Sequence, residues 1–198
     1  SHFQCFNNHE IDPNNLTLTV DVTWLGPHET GAQVLTTAAI PAIANQPQIK
    51  SITLTGLTEL PAYAAHLTDH PKVCLEMKPV QADIMWYPNQ IDQRVDVSQA
   101  RQLGKRVITT YLDLIAYDIG KYHASPESWA AYRAMQRKIA LSVDGITTIS
   151  KDVAKRLYQE VPRLDHQRIQ AIPLGLDHLN QATEASKPQQ LAATKPFL

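Results

Sequence analysis

Three stretches, 106-RVITTYLDLIAYD-118, 145-GITTIS-150 and 172-IPLGLD-177, decide how this chain folds. Each is a β-rich run that stops on small or polar residues, and helical segments separate them. Strand, helix, strand, helix is the pattern of βαβ units and a parallel sheet. In an open sheet of that kind ligands bind at the carboxyl ends of the strands, so the stops themselves are the candidate site positions.

Outward from these runs the same alternation continues. The segment 16-LTLTVDVTWL-25 alternates apolar and β-branched polar residues and reads as a strand. A loop with glycine at each end, 26-GPHETG-31, leads into 32-AQVLTTAAIPAIA-44. There Val34, Leu35, Ala38, Ala39, Ala42 and Ile43 share one helical face, and Pro41 is expected to kink or shorten the helix. Strands are predicted at 49-IKSITLTGL-57, 73-VCLEM-77 and 82-ADIMWYP-88, with a short helix at 60-LPAYAAHL-67. The helix 96-DVSQARQLG-104 is expected to stop on a left-handed Gly104. Ser125, Pro126 and Glu127 form a cap, a favoured first residue and a first-turn acid for a helix reaching about Val143 and burying Trp129, Tyr132 and Ile139. Ser150 caps 151-KDVAKRLYQEV-161, Pro162 stops it, and 168-RIQAIPL-174 is the last strand. Residues 1–15 read as a polar arm, 16–178 as one α/β domain, and 179–194 as a linker. The end, 195-KPFL-198, reads as the opening strand of a second, C-terminal domain.

Composition narrows the function classes. The chain has 198 residues, 43% of them hydrophobic and 19% charged, with a formal net charge of −1, so no strong field draws nucleic acid. No apolar run approaches the roughly 20 residues that cross a bilayer, and the start lacks the features of a secretory signal. Cys5 and Cys74 are too few for a disulfide framework and read as free thiols of a reducing compartment. His66, Asp69 and His70 have a metal-like spacing, but Pro71 ends the helix and no third ligand is supplied, so surface histidines explain them better. Arg133, Arg137, Lys138, Lys155 and Arg156 fall on two helices and read as a solvated face, with an anionic lipid surface as the alternative.

Taken in order, the three deciding runs resemble the acceptor-side half of a retaining glycosyltransferase of the GT-B kind, the group one or family four set. Asp113, Leu114 and Ile115 match the family's strand end "t-x-HDL-i-P"; Leu112 stands where many members carry histidine and Ala116 where many carry proline. Ser150 and Lys151 match its "v-S" strand end, and Gly175 and Asp177 its "P-x-G-v-D" turn into the hinge. The run 86-WYPNQ-90 resembles a cleft segment of one bacterial subgroup.

The resemblance implies a Rossmann-like open parallel sheet with helices on both faces, one half of a two-domain enzyme. That enzyme would move a sugar from a nucleotide diphosphate donor to an acceptor hydroxyl with retention, without a cofactor or metal. Its partners would be a nucleotide sugar, a glycan or lipid-linked acceptor and the chain's own C-terminal domain. It would work in the cytoplasm, at most peripheral to the inner face of the membrane. Gly26, His28 and Gly31 would approach the donor phosphates, at a helix N-terminus with free N–H groups; a plain tight turn is the other reading. Asp113 would contact the reacting sugar or take a proton, or else tie down its own loop. Trp86, Tyr87, Gln90, Tyr111, Ser150 and Lys151 would line the acceptor cleft, although Trp86 and Tyr87 also suit a core and Ser150 a cap. Asp177 is as well placed to serve the hinge as to touch substrate. The rival functions are a non-catalytic sugar- or nucleotide-binding module and half of a nucleotide-sugar epimerase. A dehydrogenase is disfavoured, since no dinucleotide fingerprint follows the first strand.

Overall fold

The computed structural model describes residues 11–172. Gly175, Asp177, the linker and 195–198 lie outside the described residues, as does most of the arm. Seven strands form one sheet: β1 (Leu16–Asp21), β2 (Ile49–Thr55), β3 (Val73–Glu76), β4 (Ala82–Tyr87), β5 (Gly104–Tyr111), β6 (Gly145–Thr148) and β7 (Ile169–Ala171). Their order is β3-β2-β1-β4-β5-β6-β7, and every pairing is parallel. The helices are α1 (Gly31–Ala44), α2 (Val97–Leu103), α3 (Ile115–Asp118), α4 (Pro126–Ser142) and α5 (Lys151–Glu160). The architecture is the Rossmann-like α/β sheet expected, with a core on each face. Leu18, Val20, Ile52, Leu54 and Trp86 meet α1 and the 3-10 segment Ala62–Asp69 on one side. Met85, Val107, Tyr111 and Ile146 meet α2, α4 and α5 on the other. No helix among the described residues is long and apolar enough to cross a membrane.

Local chemistry accounts for the helix starts. Ser125 accepts from the Ser128 N–H at 3.2 Å with Pro126 at the first helical position, and Ser150 accepts from the Val153 N–H at 3.2 Å. Trp129 and Tyr132 are half-buried, and Gln136, Ile139 and Ala140 are the buried residues of α4.

Three local expectations are corrected. The first strand ends at Asp21, because Asp21 Oδ1 accepts the Thr23 N–H at 2.9 Å and turns the chain. Helix α1 runs through Pro41 and buries Gln33, Thr36, Thr37, Ile40 and Ala44 instead of the more apolar face. The Thr37 hydroxyl donates to the Gln33 carbonyl at 3.1 Å, so that polar face satisfies itself. Gly104 is not a left-handed stop: its φ is −131° and ψ 136°, and it opens β5. It is glycine for space, since a Cβ there would lie 2.5 Å from the Met85 backbone nitrogen.

Strands β3 and β4 depart from the strand, helix, strand pattern of the rest of the sheet. The connection between them is only residues 77–81, without a helix, although it must pass over β2 and β1. Three strand spacings are about 14 Å. Five residues reach that far only when extended. The sheet face beneath carries Thr17, Thr19, Thr53 and Thr55, and the Thr19 hydroxyl donates to the Val80 carbonyl at 2.6 Å. Small β-branched polar residues thus let a bare strap lie where a helix layer would need apolar partners.

Replacing Gly104 by alanine should cost about 1–3 kcal/mol, the usual range for forced overpacking. Gly26→Ala, where a Cβ meets nothing within 4 Å, should stay within about 0.5 kcal/mol. Urea unfolding of the two variants measures the difference.

Candidate functional site

The strand order reverses at β1, whose neighbours are β2 and β4. The chain therefore leaves the ends of β1 and β4 toward opposite faces, and a crevice opens between them. A cavity of about 230 Å³ lies there, walled by Asp21, Trp24, Tyr87, Asn89, Gln90 and Arg94, with Ile91 and Asp92 among its other lining residues. A larger groove of about 460 Å³ runs between α2 and α4, lined by Val97, Arg101, Met135 and Ile139. It shares Asp92 and Val95 with the smaller cavity and runs from there between helix sides toward Arg101 and Ser142, so the smaller cavity, at the strand ends, is the candidate site despite its size.

Tyr87 is 8% exposed, yet its hydroxyl has no hydrogen-bond partner among the described residues and lines the cavity. Burial first, and then the Asp21 carboxylate, push this phenol above its ordinary range, so it is a neutral donor at physiological pH. The Trp24 indole N–H is likewise buried and unpartnered among the described residues. Asp92 is clamped by Arg94, whose Nη2 and Nε lie 2.7 and 2.9 Å from Oδ2. Burial alone would raise the Asp92 carboxyl; Arg94 outweighs it and leaves the group below the usual carboxylate range. Asn89 Oδ1 accepts the Gln90 N–H at 2.8 Å, and the Gln90 side chain donates to the Asp113 carbonyl. The result is a small mouth with a free phenol, an indole, a carboxylate and amides, chemistry that suits a hydroxyl-rich ligand.

Of the anticipated cleft residues, Tyr87 and Gln90 line this cavity. Tyr111 does not: it is fully buried, and its hydroxyl donates to Gln136 Oε1 at 2.8 Å. Its side chain falls on the covered face of β5, so a cleft role is ruled out by the pleat. Trp86, one residue before Tyr87, points to the opposite core, where its indole donates to the Thr110 hydroxyl at 3.0 Å. Asp113 is exposed at the same edge; Oδ1 accepts the Ile115 N–H at 2.9 Å and caps α3. Ser150 and Lys151 sit after β6, two strands beyond β4, with Ser150 acting as the cap of α5.

His28 is exposed on the loop before α1, and Gly26 offers its carbonyl to the Tyr63 hydroxyl at 2.8 Å. Gly31 opens α1, where the Gln33 side chain accepts the Thr30 N–H at 3.0 Å. Both glycines have open space around them and neither has a left-handed backbone. No group of three metal-ligating side chains occurs among the described residues; His70 instead meets Asn45 Oδ1 at 3.2 Å and accepts the Lys72 N–H at 3.1 Å.

Sequence reading missed Asp21, Trp24, Asp92 and Arg94. The available signal was the stop rule applied to the first strand. Apolar alternation running on to Leu25 hid that stop. On the basic helices Arg137, Lys138 and Lys155 are exposed, as a solvated face requires, while Arg133, Arg137 and Arg156 converge on Glu160.

No protein-family model matches the chain, and no curated protein matches it. Among solved structures it is similar to Alr3699/HepE of Anabaena in complex with UDP-glucose, with a TM-score of 0.52 at 11% identity. The match covers 81% of this chain and 44% of HepE, so the chain spans less than half the length of that protein. At this identity the likeness shows a shared fold.

The two tyrosines should respond oppositely to loss of the hydroxyl. Tyr111→Phe leaves buried Gln136 Oε1 without its donor and should cost about 1–3 kcal/mol in urea unfolding. Tyr87→Phe breaks no bond within the described residues and should change stability by less than about 0.5 kcal/mol.

Proposed function

We propose that this chain is one half of a glycosyltransferase, the half that presents a sugar-binding crevice to a nucleotide-sugar donor. The observation that carries the reading is Tyr87, a buried residue that lines the cavity at the switch point of a doubly wound parallel sheet and whose hydroxyl has no partner among the described residues. The UDP-glucose bound by HepE, a protein of similar fold, supports the donor class.

In the proposed reaction an acceptor hydroxyl oxygen bonds to the anomeric carbon while the bond from that carbon to the donor diphosphate breaks. The hydroxyl proton passes to the departing diphosphate or to a carboxylate at the crevice. Asp21 is positioned for that contact beside Tyr87, and Asp113 keeps Oδ2 for a sugar hydroxyl while Oδ1 caps α3. Free N–H groups at the start of α1, reached past Gly26, His28 and Gly31, would face the diphosphate. Ser150 and Lys151 would extend the acceptor surface along the rim. Gly175 and Asp177 would lead to the hinge, and the nucleotide would be held by a second domain. The acceptor would be a glycan or a lipid-linked sugar at the cytoplasmic face of the membrane. Retention at the anomeric carbon and independence from metal complete the proposal.

The second reading is a sugar- or nucleotide-binding module without transfer, or half of an epimerase. The commitment of Asp113 Oδ1 to its own loop favours it. Incubating the complete protein with nucleotide sugars and acceptors, with NMR of the product, separates these. Transfer with retained configuration is expected. Binding without turnover points to the module, and conversion of the free nucleotide sugar to its epimer to the third reading. The 198-residue chain alone should fold and show no transfer, because half a cleft does not preorganise a donor.

A further inference from the structure

The loop from Leu112 to His123 forms the rim next to the crevice, and it is poorly equipped to hold itself in place. Helix α3 is one turn, too short to persist alone. Ile115, Ile119 and Tyr122 are 47%, 44% and 66% exposed, so the loop's inward anchors are Leu114 and Tyr117. Tyr117 is 2% exposed, and its hydroxyl donates to Glu160 Oε2 at 3.1 Å.

Glu160 closes α5 and gathers three guanidiniums. Arg133 and Arg137 of α4 reach Oε2 at 3.1 and 3.5 Å, and Arg156 reaches Oε1 at 3.4 Å. The Arg156 guanidinium also pairs with Asp118 of α3 at 2.6 Å. Arg133 lies over the Tyr117 ring at 4.7 Å and the Trp129 ring at 5.3 Å. Two further bonds fix the α3 backbone: Trp129 Nε1 donates to the Tyr117 carbonyl at 2.9 Å, and His123 Nε2 to the Ala116 carbonyl at 2.8 Å. The chain of contacts then runs inward. Asp113 Oδ1 caps α3, and the Asp113 carbonyl receives the Gln90 side chain, which lines the cavity.

We propose that Glu160 is a positioning residue for the crevice: through Tyr117, α3 and Asp113 it sets where Gln90 stands at the cavity wall. Without its charge, three guanidiniums would face one another with only Asp118 between them, and the buried Tyr117 hydroxyl would keep only a weaker, neutral acceptor. Burial would raise the Glu160 carboxyl. The Tyr117 hydroxyl, Arg133 and Arg137 outweigh burial and hold it below the ordinary glutamate value. The brace is therefore intact above the ordinary glutamate pKa and fails as pH falls through the lowered value. The proposal rests on reading the crevice as the binding site, but its test needs no ligand.

Hydrogen exchange of the 198-residue chain, with NMR of the Gln90 side-chain amide, makes that test. In Glu160→Gln the amides of 114–119 should exchange about tenfold faster or more, and the Gln90 signal should shift, while β1 and β4 keep their protection. Acidification should reproduce both changes in the wild type, and should move them less in Glu160→Gln, where Asp113 and Asp118 are the carboxylates left holding α3. Tyr117→Phe, which removes one bond and keeps the ring, should act in the same direction more weakly, and it decides the matter if Glu160→Gln does not fold. Unchanged exchange at 114–119, an unmoved Gln90 signal, or uniform acceleration across the domain would overturn the proposal. Titrating the same samples with a panel of methyl glycosides tests the site separately: an intact brace with no sugar bound anywhere sinks the functional reading and leaves the brace standing.

Discussion

The pairing of β1 with β4 governs this molecule. Three register pairs, Leu18 with Ile84, Thr19 with Met85 and Val20 with Trp86, join the two halves of the sheet. Because β2 lies on the other side of β1, the chain must depart in opposite directions from these two neighbours. The gap at their carboxyl ends is a consequence of connectivity and twist, and it exists before any side chain is chosen to fill it. What the side chains decide is its character. Tyr87 and Trp24 bring polar atoms without a partner among the described residues, while Asp92 commits its charge to Arg94. A group left unpaired at a mouth is available to a ligand; a clamped one shapes the wall.

The same connectivity sets up a tension on the far side of β1 and β2. Parallel sheets ordinarily bury both faces. Here the β3–β4 connection has no helix to offer, and the face beneath it carries threonines in alternation with the apolar residues of the opposite core. A hydroxyl on a β-branched side chain fits a pleated strand and tolerates a strap backbone lying close above it. The bond from Thr19 to the Val80 carbonyl shows how such a layer is closed with few atoms. At its lower end Asp83 accepts the Thr17 N–H at 2.9 Å and pairs with Lys105 at 2.8 Å, tying β1, β4 and β5 together where the strap arrives.

Much of the fold was legible because its signals are local. The caps at Ser125 and Ser150 lie within one turn of the groups they serve, and β1, β2 and β4 announce themselves by composition. Errors arose where a local pattern met a distant neighbour. Gly104 looks like a helix stop in sequence, yet its lack of a side chain answers to Met85 on the adjacent strand. The apolar stripe of α1 was outcompeted by Thr36 and Thr37, which donate to carbonyls of their own helix, and by Gln33, which bonds to Thr30 and the Trp24 carbonyl, so all three pack inward at little cost. Tyr111 and Trp86 sit beside cleft residues in sequence, but alternate pleats send them into the cores.

By itself the sequence determined the class of the fold and the edge where a site must lie, since strand periodicity, helix caps and the stops after each strand are encoded within a few residues. It carried the order of elements and so the parallel sheet. Only the tertiary structure decided which groups meet at that edge. Asp21 and Tyr87 are 66 positions apart yet wall one cavity, and Glu160 is 47 positions from Asp113 yet braces its loop. Side-chain direction and strand order settle such meetings, and both depend on contacts between residues that share no local pattern.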